Sequence, residues 1–290
     1  MSGARQGEGV QLPDQHAGDH GDGVDMMHHI MDSREWETPL GTVHFPEPGS
    51  WTLGALDLTP TKHVLFIWLA AALVLLVFLG AGQAAKRRQG NDLPKRRHNA
   101  IEALVLFFRD QVVLPNVGAR GEKFVPFVTT LFFFILFANL MGLVPWGSTA
   151  TANISVTGAL AVISMIVIEG AGMRELGPKG YLGTIFFVPA GMNKVGGVAM
   201  AIFMAPIELM GKFAKPFALA IRLMANMTAG HVVLLALISL IFVFGSYWIV
   251  PGPIVMAVAI TFLEIFVAFL QAFVFALLTA VFIGLIRSHH

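Results

Sequence analysis

The chain has 290 residues, of which 56% are hydrophobic and 13% charged, and it contains no cysteine. A soluble domain carries roughly a quarter charged residues, so with a mean hydropathy of +0.71 the composition excludes that class and points to a membrane protein. Missing cysteine excludes disulfides, thiolate nucleophiles and the usual soft-metal sites. The net charge of +1 hides an asymmetry: ten of the 18 acidic side chains lie at or before residue 61, beside only Arg5 and Arg34 among the 19 basic ones. That distribution suits charge-sorted membrane topology rather than nucleic-acid binding.

Residues 1–60 are rich in Gly, Asp and His and hold no apolar run long enough for a core; they read as an acidic, mostly disordered extracytoplasmic tail. Its histidines His16, His20, His28, His29 and His44 would need a folded scaffold to hold a metal, and without one they read as polar tail. No metal or cofactor site is expected. Residues 61–290 read as a membrane domain. Its first span, 61–83, contains the apolar run Val64 to Gly82, long enough at about 1.5 Å per residue to cross a hydrocarbon core of about 30 Å. The run comes too late in the chain for a cleavable signal. Two basic blocks follow, Lys86-Arg87-Arg88 and Lys95-Arg96-Arg97, which the positive-inside rule places in the cytoplasm with the N-terminus outside.

Between His98 and Pro115, Ile101, Leu104, Val105, Phe108 and Val112 recur at three- and four-residue spacing with Glu102, Arg109 and Asp110 off the stripe, the pattern of an interfacial amphipathic helix. Residues 123–170 read as a helical hairpin, Phe124 to Val144 and Val156 to Ile168, joined outside by the uncharged turn Pro145-Trp146-Gly147-Ser148. A cytoplasmic loop over 171–197 returns Arg174, Lys179 and Lys194 to the basic side, but its mixture of Gly, Pro and short apolar stretches shows no periodicity. Residues 198–288 read as a hairpin of two long helices, Ala199 to Phe244 and Ile254 to Ile283. A helix of the first length would reach almost 70 Å, about twice an upright crossing, which demands kinks at Pro206, Gly211 or Pro216, strong tilt, or both. The C-terminus falls inside. The expected architecture is an all-α membrane protein with five transmembrane crossings plus one interfacial amphipathic helix, the last two helices long and strongly tilted.

Ionisable groups at membrane depth are costly, so each is a functional candidate. Arg222 lies far from either end of its helix and cannot shed its charge; its bland alternative is snorkelling to the interface. Glu208, Lys215 and Arg222 are seven apart, within about 20 degrees of one another at each step, and make one charged stripe. Glu208 with Lys212 also has i,i+4 spacing, so interfacial ion pairing competes with a transport role there. Asn226 continues the Arg222 face, whereas His231 points nearly the opposite way and is able to exchange protons near neutral pH. Glu264 and Gln271 share a face on the last helix. Antiparallel pairing about residue 248 sets His231 opposite Glu264 and Arg222 opposite Gln271, giving two polar levels. A fixed cation there would stabilise a mobile carboxylate presented by another subunit and block a direct proton path.

The run Ile221-Arg222-Leu223-Met224-Ala225-Asn226-Met227-Thr228-Ala229-Gly230-His231, with Leu270-Gln271-Ala272-Phe273-Val274-Phe275, resembles the signature of subunit a of the F-type ATP synthase. Phe137-Ala138-Asn139-Leu140-Met141-Gly142-Leu143-Val144-Pro145 and Thr151-Ala152-Asn153-Ile154-Ser155-Val156-Thr157 are also similar to that family, so the likeness runs from about Ile101 to the end. The resemblance implies a proton-translocating stator lying against a rotating ring of small hairpin c subunits, with peripheral stalk b subunits, the remaining synthase subunits and the lipid bilayer as partners and no nucleic acid. It implies that Arg222 faces the ring carboxylate, that Gln271 lies close to Arg222, and that Asn226, His231 and Glu264 belong to the outer half-channel, with Glu208 and Lys215 nearer the cytoplasm. Other members carry an acid at the position of His231 and a histidine at that of Glu264; here the two are exchanged, and the pairing favours protons over sodium. The long acidic tail departs from the family. No Gly-x-x-x-x-Gly-Lys-Ser/Thr loop is present, so nucleotide catalysis is left to partners. A secondary transporter binding an anionic substrate through Arg222 is the alternative, and a purely structural anchor is a third reading. The acidic tail, unlike an Arg-rich transit segment, favours a bacterial inner membrane.

Overall fold

The computed structural model describes residues 35–38, 41–46, 52–53, 56–57, 59, 61–87, 96–144, 147, 149–186, 194–244 and 250–287. The tail before residue 35 with four of its histidines, the basic positions Arg88 and Lys95, most of the turn at 145–148 and the turn at 245–249 lie outside them.

The acidic stretch is not without structure. Strands β1 (Glu35–Thr38) and β2 (Gly41–His44) pair antiparallel with Trp36 opposite Val43, and β3 (Thr52–Leu53) pairs with β4 (Leu56–Asp57). Such a hairpin needs only a few β-favouring cross-strand pairs; the expectation of a mostly disordered tail otherwise lies outside the described residues.

Five helices among the described residues are long and apolar enough to cross a membrane. Helix α1 is Lys62–Arg87. Helix α2, Arg96–Phe107, runs through a π-helical turn at Phe108–Val113 into one further α-turn at Leu114–Val117. The π-turn shifts the register, so Val113 and Val117 are buried together with the expected Phe108 and Val112, and the far half of this segment packs on the core instead of only lying beside it. Helix α3 is Val125–Gly142, with Pro126 in its first turn, where a missing N–H costs nothing.

Helix α4 is Ile154–Ile185, capped by the Asn153 side chain, which accepts from Ser155 N at 2.8 Å. It continues 15 residues beyond the expected end at 170, so much of the anticipated 171–197 loop is helical. The break is local: Gly177 adopts φ 70° ahead of Pro178, a conformation open to glycine, and the helix resumes at once. A Gly-Pro step read as loop is here a kink.

Helix α5, Lys194–Phe244, is a continuous helix of 51 residues with Pro206 and Pro216 inside it, about 76 Å long. Helix α6, Pro251–Arg287, has 37 residues and a length of about 55 Å. Both exceed an upright crossing of about 30 Å, so holding their apolar lengths in a bilayer requires strong tilt. Helix α6 is central, packed on α3, α4 and α5. Its Ala268, Ala272, Ala276 and Ala280 are fully buried, a small-residue stripe that lets neighbouring backbones approach closely. The same edge ends at Gly284, where a Cβ would overlap the Asn116 carbonyl oxygen. Around this stripe Phe108, Phe132, Ile135, Leu223, Phe275 and Ile283 form the core.

Ion pairs gather at one end of the bundle. Arg287 bonds Glu175 at 2.9 Å and the Val117 carbonyl at 3.1 Å, Lys123 lies 3.6 Å from Glu175, and Arg109 bonds Glu122 at 2.5 Å. The Glu122 bond raises the Arg109 guanidinium above its ordinary value. These pairs join the α2 segment, the turn Ala119–Phe124 that leads into α3, α4 and the end of α6.

Candidate functional site

Helices α5 and α6 pack along their lengths, and their polar side chains meet at two levels. At the first, His231 Nδ1 stands 3.6 Å from Glu264 Oε1, with the two side chains 18% and 10% exposed. The carboxyl reaches this position because residue 230 is glycine: a Cβ there would overlap Glu264 Oε1. His231 Nε2 lies 3.0 Å from the Gly142 carbonyl at the end of α3 and also contacts the Thr149 hydroxyl. Helix α3 and the segment before α4 therefore wall the pair.

At the second level Asn226 Nδ2 donates to Gln271 Oε1 at 2.9 Å. Gln271 is 2% exposed. Between the levels, Asn139 Nδ2 donates to the Ala268 carbonyl at 3.3 Å and accepts from the Thr151 hydroxyl at 2.7 Å, both side chains fully buried. Gln271 Nε2, His231 Nδ1 and Glu264 Oε2 are enclosed without a hydrogen-bond partner among the described residues. Buried polar atoms nearly always have partners, and three of the unmet ones lie along this one helix pair.

The pairing of His231 with Glu264 matches the antiparallel count along the sequence, but that of Arg222 with Gln271 does not. Gln271 bonds Asn226, one helical turn from Arg222; counted from residue 248, Asn226 and Gln271 lie 22 and 23 residues away, closer to equal than the 26 and 23 of Arg222 and Gln271. Arg222 instead lies on the exposed face of α5 without a hydrogen bond or ion pair to a described residue. Glu208, Lys215 and Asn226 share that exposure, so the charged stripe is open along α5.

Toward the ion-paired end, Lys212 does not pair with Glu208 as the i,i+4 spacing suggested. Its ammonium donates to Glu169 Oε2 and Thr184 Oγ1, both at 3.3 Å, and lies 4.3 Å from the Tyr181 ring centroid. Tyr181 Oη donates to the same Glu169 oxygen at 2.5 Å. The continuation of α4 beyond its kink carries Tyr181 and Thr184 here. Lys212, Glu169 and Thr184, with Glu208, Lys215 and Phe282, line a cavity of about 70 Å³. Lys215 Nζ is 5.3 Å from the Phe282 ring centroid.

Sequence reasoning passed over Asn139, Thr149, Thr151, Glu169, Tyr181 and Thr184 as site residues. Asn139 carried a usable signal, an amide inside the apolar run Phe132 to Met141. The others are brought in by distant elements.

The family model described as ATP synthase A chain matches residues 64–284. ATP synthase subunit a of Chloroherpeton thalassium is 44% identical over 269 residues, covering 92% of this chain and 77% of the relative. ATP synthase subunit a 2 of Chlorobaculum tepidum is 44% identical over 266 residues, covering 91% and 73%. ATP synthase subunit a of Anaeromyxobacter dehalogenans is 42% identical over 295 residues, covering 95% and 74%. With a match of that extent, and with helices suited to repeated membrane crossing, the chain is a multi-pass membrane protein and belongs to the ATP synthase A chain family.

Proposed function

We propose that this chain is the proton-translocating stator of an F-type ATP synthase, and that Arg222, Asn226, Gln271, His231 and Glu264 carry the transfer. The observation that supports the assignment of roles is the unpaired Arg222 on the open face of α5, one turn from the Asn226–Gln271 bond. The partner facing it is a ring of c subunits, each presenting a carboxylate; b subunits of the peripheral stalk hold the chain against rotation.

A proton enters from outside at the His231–Glu264 level, passes the Asn226–Gln271 level and neutralises a ring carboxylate, which then moves into lipid. A carboxylate arriving from the other side must lose its proton before it meets Arg222. Unit charges at 4 Å attract by about 4 kcal/mol at an effective dielectric of about 20, which favours the ionised carboxylate by about a thousandfold. The same charge repels protons from a direct passage between the two sides. Released protons leave through the cavity beside Glu208 and Lys215. In this orientation the ion-paired end with Arg287, Lys123 and Arg109 lies in the cytoplasm and the Thr149 end outside, in keeping with the positive-inside rule, and the membrane is a bacterial inner membrane.

The test is ATP-driven acidification of inverted vesicles carrying the assembled complex. Arg222→Ala is expected to abolish pumping with assembly intact, and Gln271→Ala to reduce it. Full pumping by Arg222→Ala would overturn the mechanism and leave the chain a structural anchor.

A further inference from the structure

We propose that the Gly142 carbonyl and the Thr149 hydroxyl are positioning groups that keep a proton on His231 Nε2, leaving Nδ1 as the atom that exchanges a proton with Glu264. This rests on the proton-path reading above and adds the atoms between which transfer occurs.

A carbonyl oxygen only accepts, so His231 Nε2, 3.0 Å from the Gly142 oxygen, is satisfied only as a donor. The Thr149 hydroxyl touches the same nitrogen and, being both donor and acceptor, turns to accept there as well. A bare Nε2 would set its lone pair against the carbonyl's. Nδ1 has no hydrogen-bond partner among the described residues and faces Glu264 Oε1 across 3.6 Å, slightly beyond hydrogen-bond length.

The groups facing the ring come from three elements: the Gly142 carbonyl from α3, the Thr149 hydroxyl from the segment before α4, and Glu264 from α6. The nearest charge on α5 toward its start, Arg222, is nine residues away. Glu264 is the one carboxylate within 4 Å of the ring among the described residues.

The transfer is balanced. The Glu264 O–H bond breaks as the Nδ1–H bond forms, giving a carboxylate and an imidazolium whose Nε2 proton stays with Gly142; the return step reverses it. A small closing movement of either side chain brings donor to acceptor. Glycine at 142 is part of the device, since a Cβ there would overlap the Thr149 side chain.

The direct test is nitrogen NMR of the complete complex carrying ¹⁵N-histidine, with the His231 signals identified by their loss in His231→Gln. At a pH where the ring is neutral, the expected result is a protonated Nε2 and a bare Nδ1; the opposite tautomer overturns the proposal. In pumping assays, Thr149→Val is expected to slow transfer by about two- to tenfold, the loss of one hydrogen bond, and to displace the pH profile. Thr149→Ser should restore most of the rate. A wild-type rate and pH profile in assembled Thr149→Val would also overturn it. Failure of the wider reading is separate: undiminished pumping by His231→Gln removes this histidine from the proton path whatever its tautomer.

Discussion

Asn226 donates to Gln271 Oε1 at 2.9 Å, and this one bond holds the exposed face of α5 to the buried face of α6 one turn from Arg222. The exposed residue is the donor and the buried residue the acceptor. Arg222, one turn along α5 from Asn226, faces outward with no hydrogen bond or ion pair to a described residue.

Replacing Gln271 with Leu removes that bond but leaves no new buried polar atom, because Asn226 is exposed and Gln271 Nε2 already lacks a partner. A single hydrogen bond is worth about 0.5–1.5 kcal/mol net. The expected outcome is a loss of stability of at most about 1.5 kcal/mol and a reduced but measurable pumping rate. Thermal unfolding of the purified complex and vesicle acidification check the two parts.

Gly230 is the second position with a defined consequence. A methyl group at this residue would overlap Glu264 Oε1, so Gly230→Ala must displace the carboxyl from His231. Overpacking of this kind costs about 1–3 kcal/mol. Pumping should fall much further than stability does, and equal pumping by Gly230→Ala and wild type in vesicles would show that the observed approach of Glu264 to His231 is unimportant.

Lys212 and Glu169 tie α5 to α4 with side chains 11% and 18% exposed. Removing one partner strands the other charge, so Lys212→Met alone should destabilise by about 2 kcal/mol, below the range of about 3–5 for a fully buried pair. The double variant Lys212→Met with Glu169→Gln should recover part of that loss. A double-mutant cycle by thermal unfolding measures the coupling; additive effects would mean that the pair does not act as one.

Much of this arrangement was legible in the sequence. Glu264 and Gln271 stood out as polar residues in an otherwise apolar α6, His231 fell opposite Glu264 by counting from the turn, and the lengths of α5 and α6 already demanded tilt. Strictly applied, the same count sets Asn226, 22 residues before residue 248, opposite Gln271, 23 after it, and the reading that gives this place to Arg222 is one turn off. The kink at Gly177-Pro178 was invisible for a different reason: both residues are ordinary loop formers, and only the helix resuming beyond them distinguishes a bend from an end. Thr149 and Tyr181 carry no signal of their own. Thr149 matters because α3 ends at Gly142 beside His231, and Tyr181 because the bent end of α4 returns it to Glu169 and Lys212, relationships that exist only after packing. The i,i+4 spacing of Glu208 and Lys212 failed as a guide since Glu169 and Thr184 offer the ammonium two oxygen partners that Glu208 alone does not match.

The central claim is that the charge of Arg222 both drives exchange with the ring and bars a direct proton path. It is tested by measuring, in one preparation of inverted vesicles, ATP-driven acidification and the passive proton leak of the assembled complex with Arg222→Ala. The account predicts that pumping disappears and the leak rises above wild type; pumping that persists with an unchanged leak would contradict it.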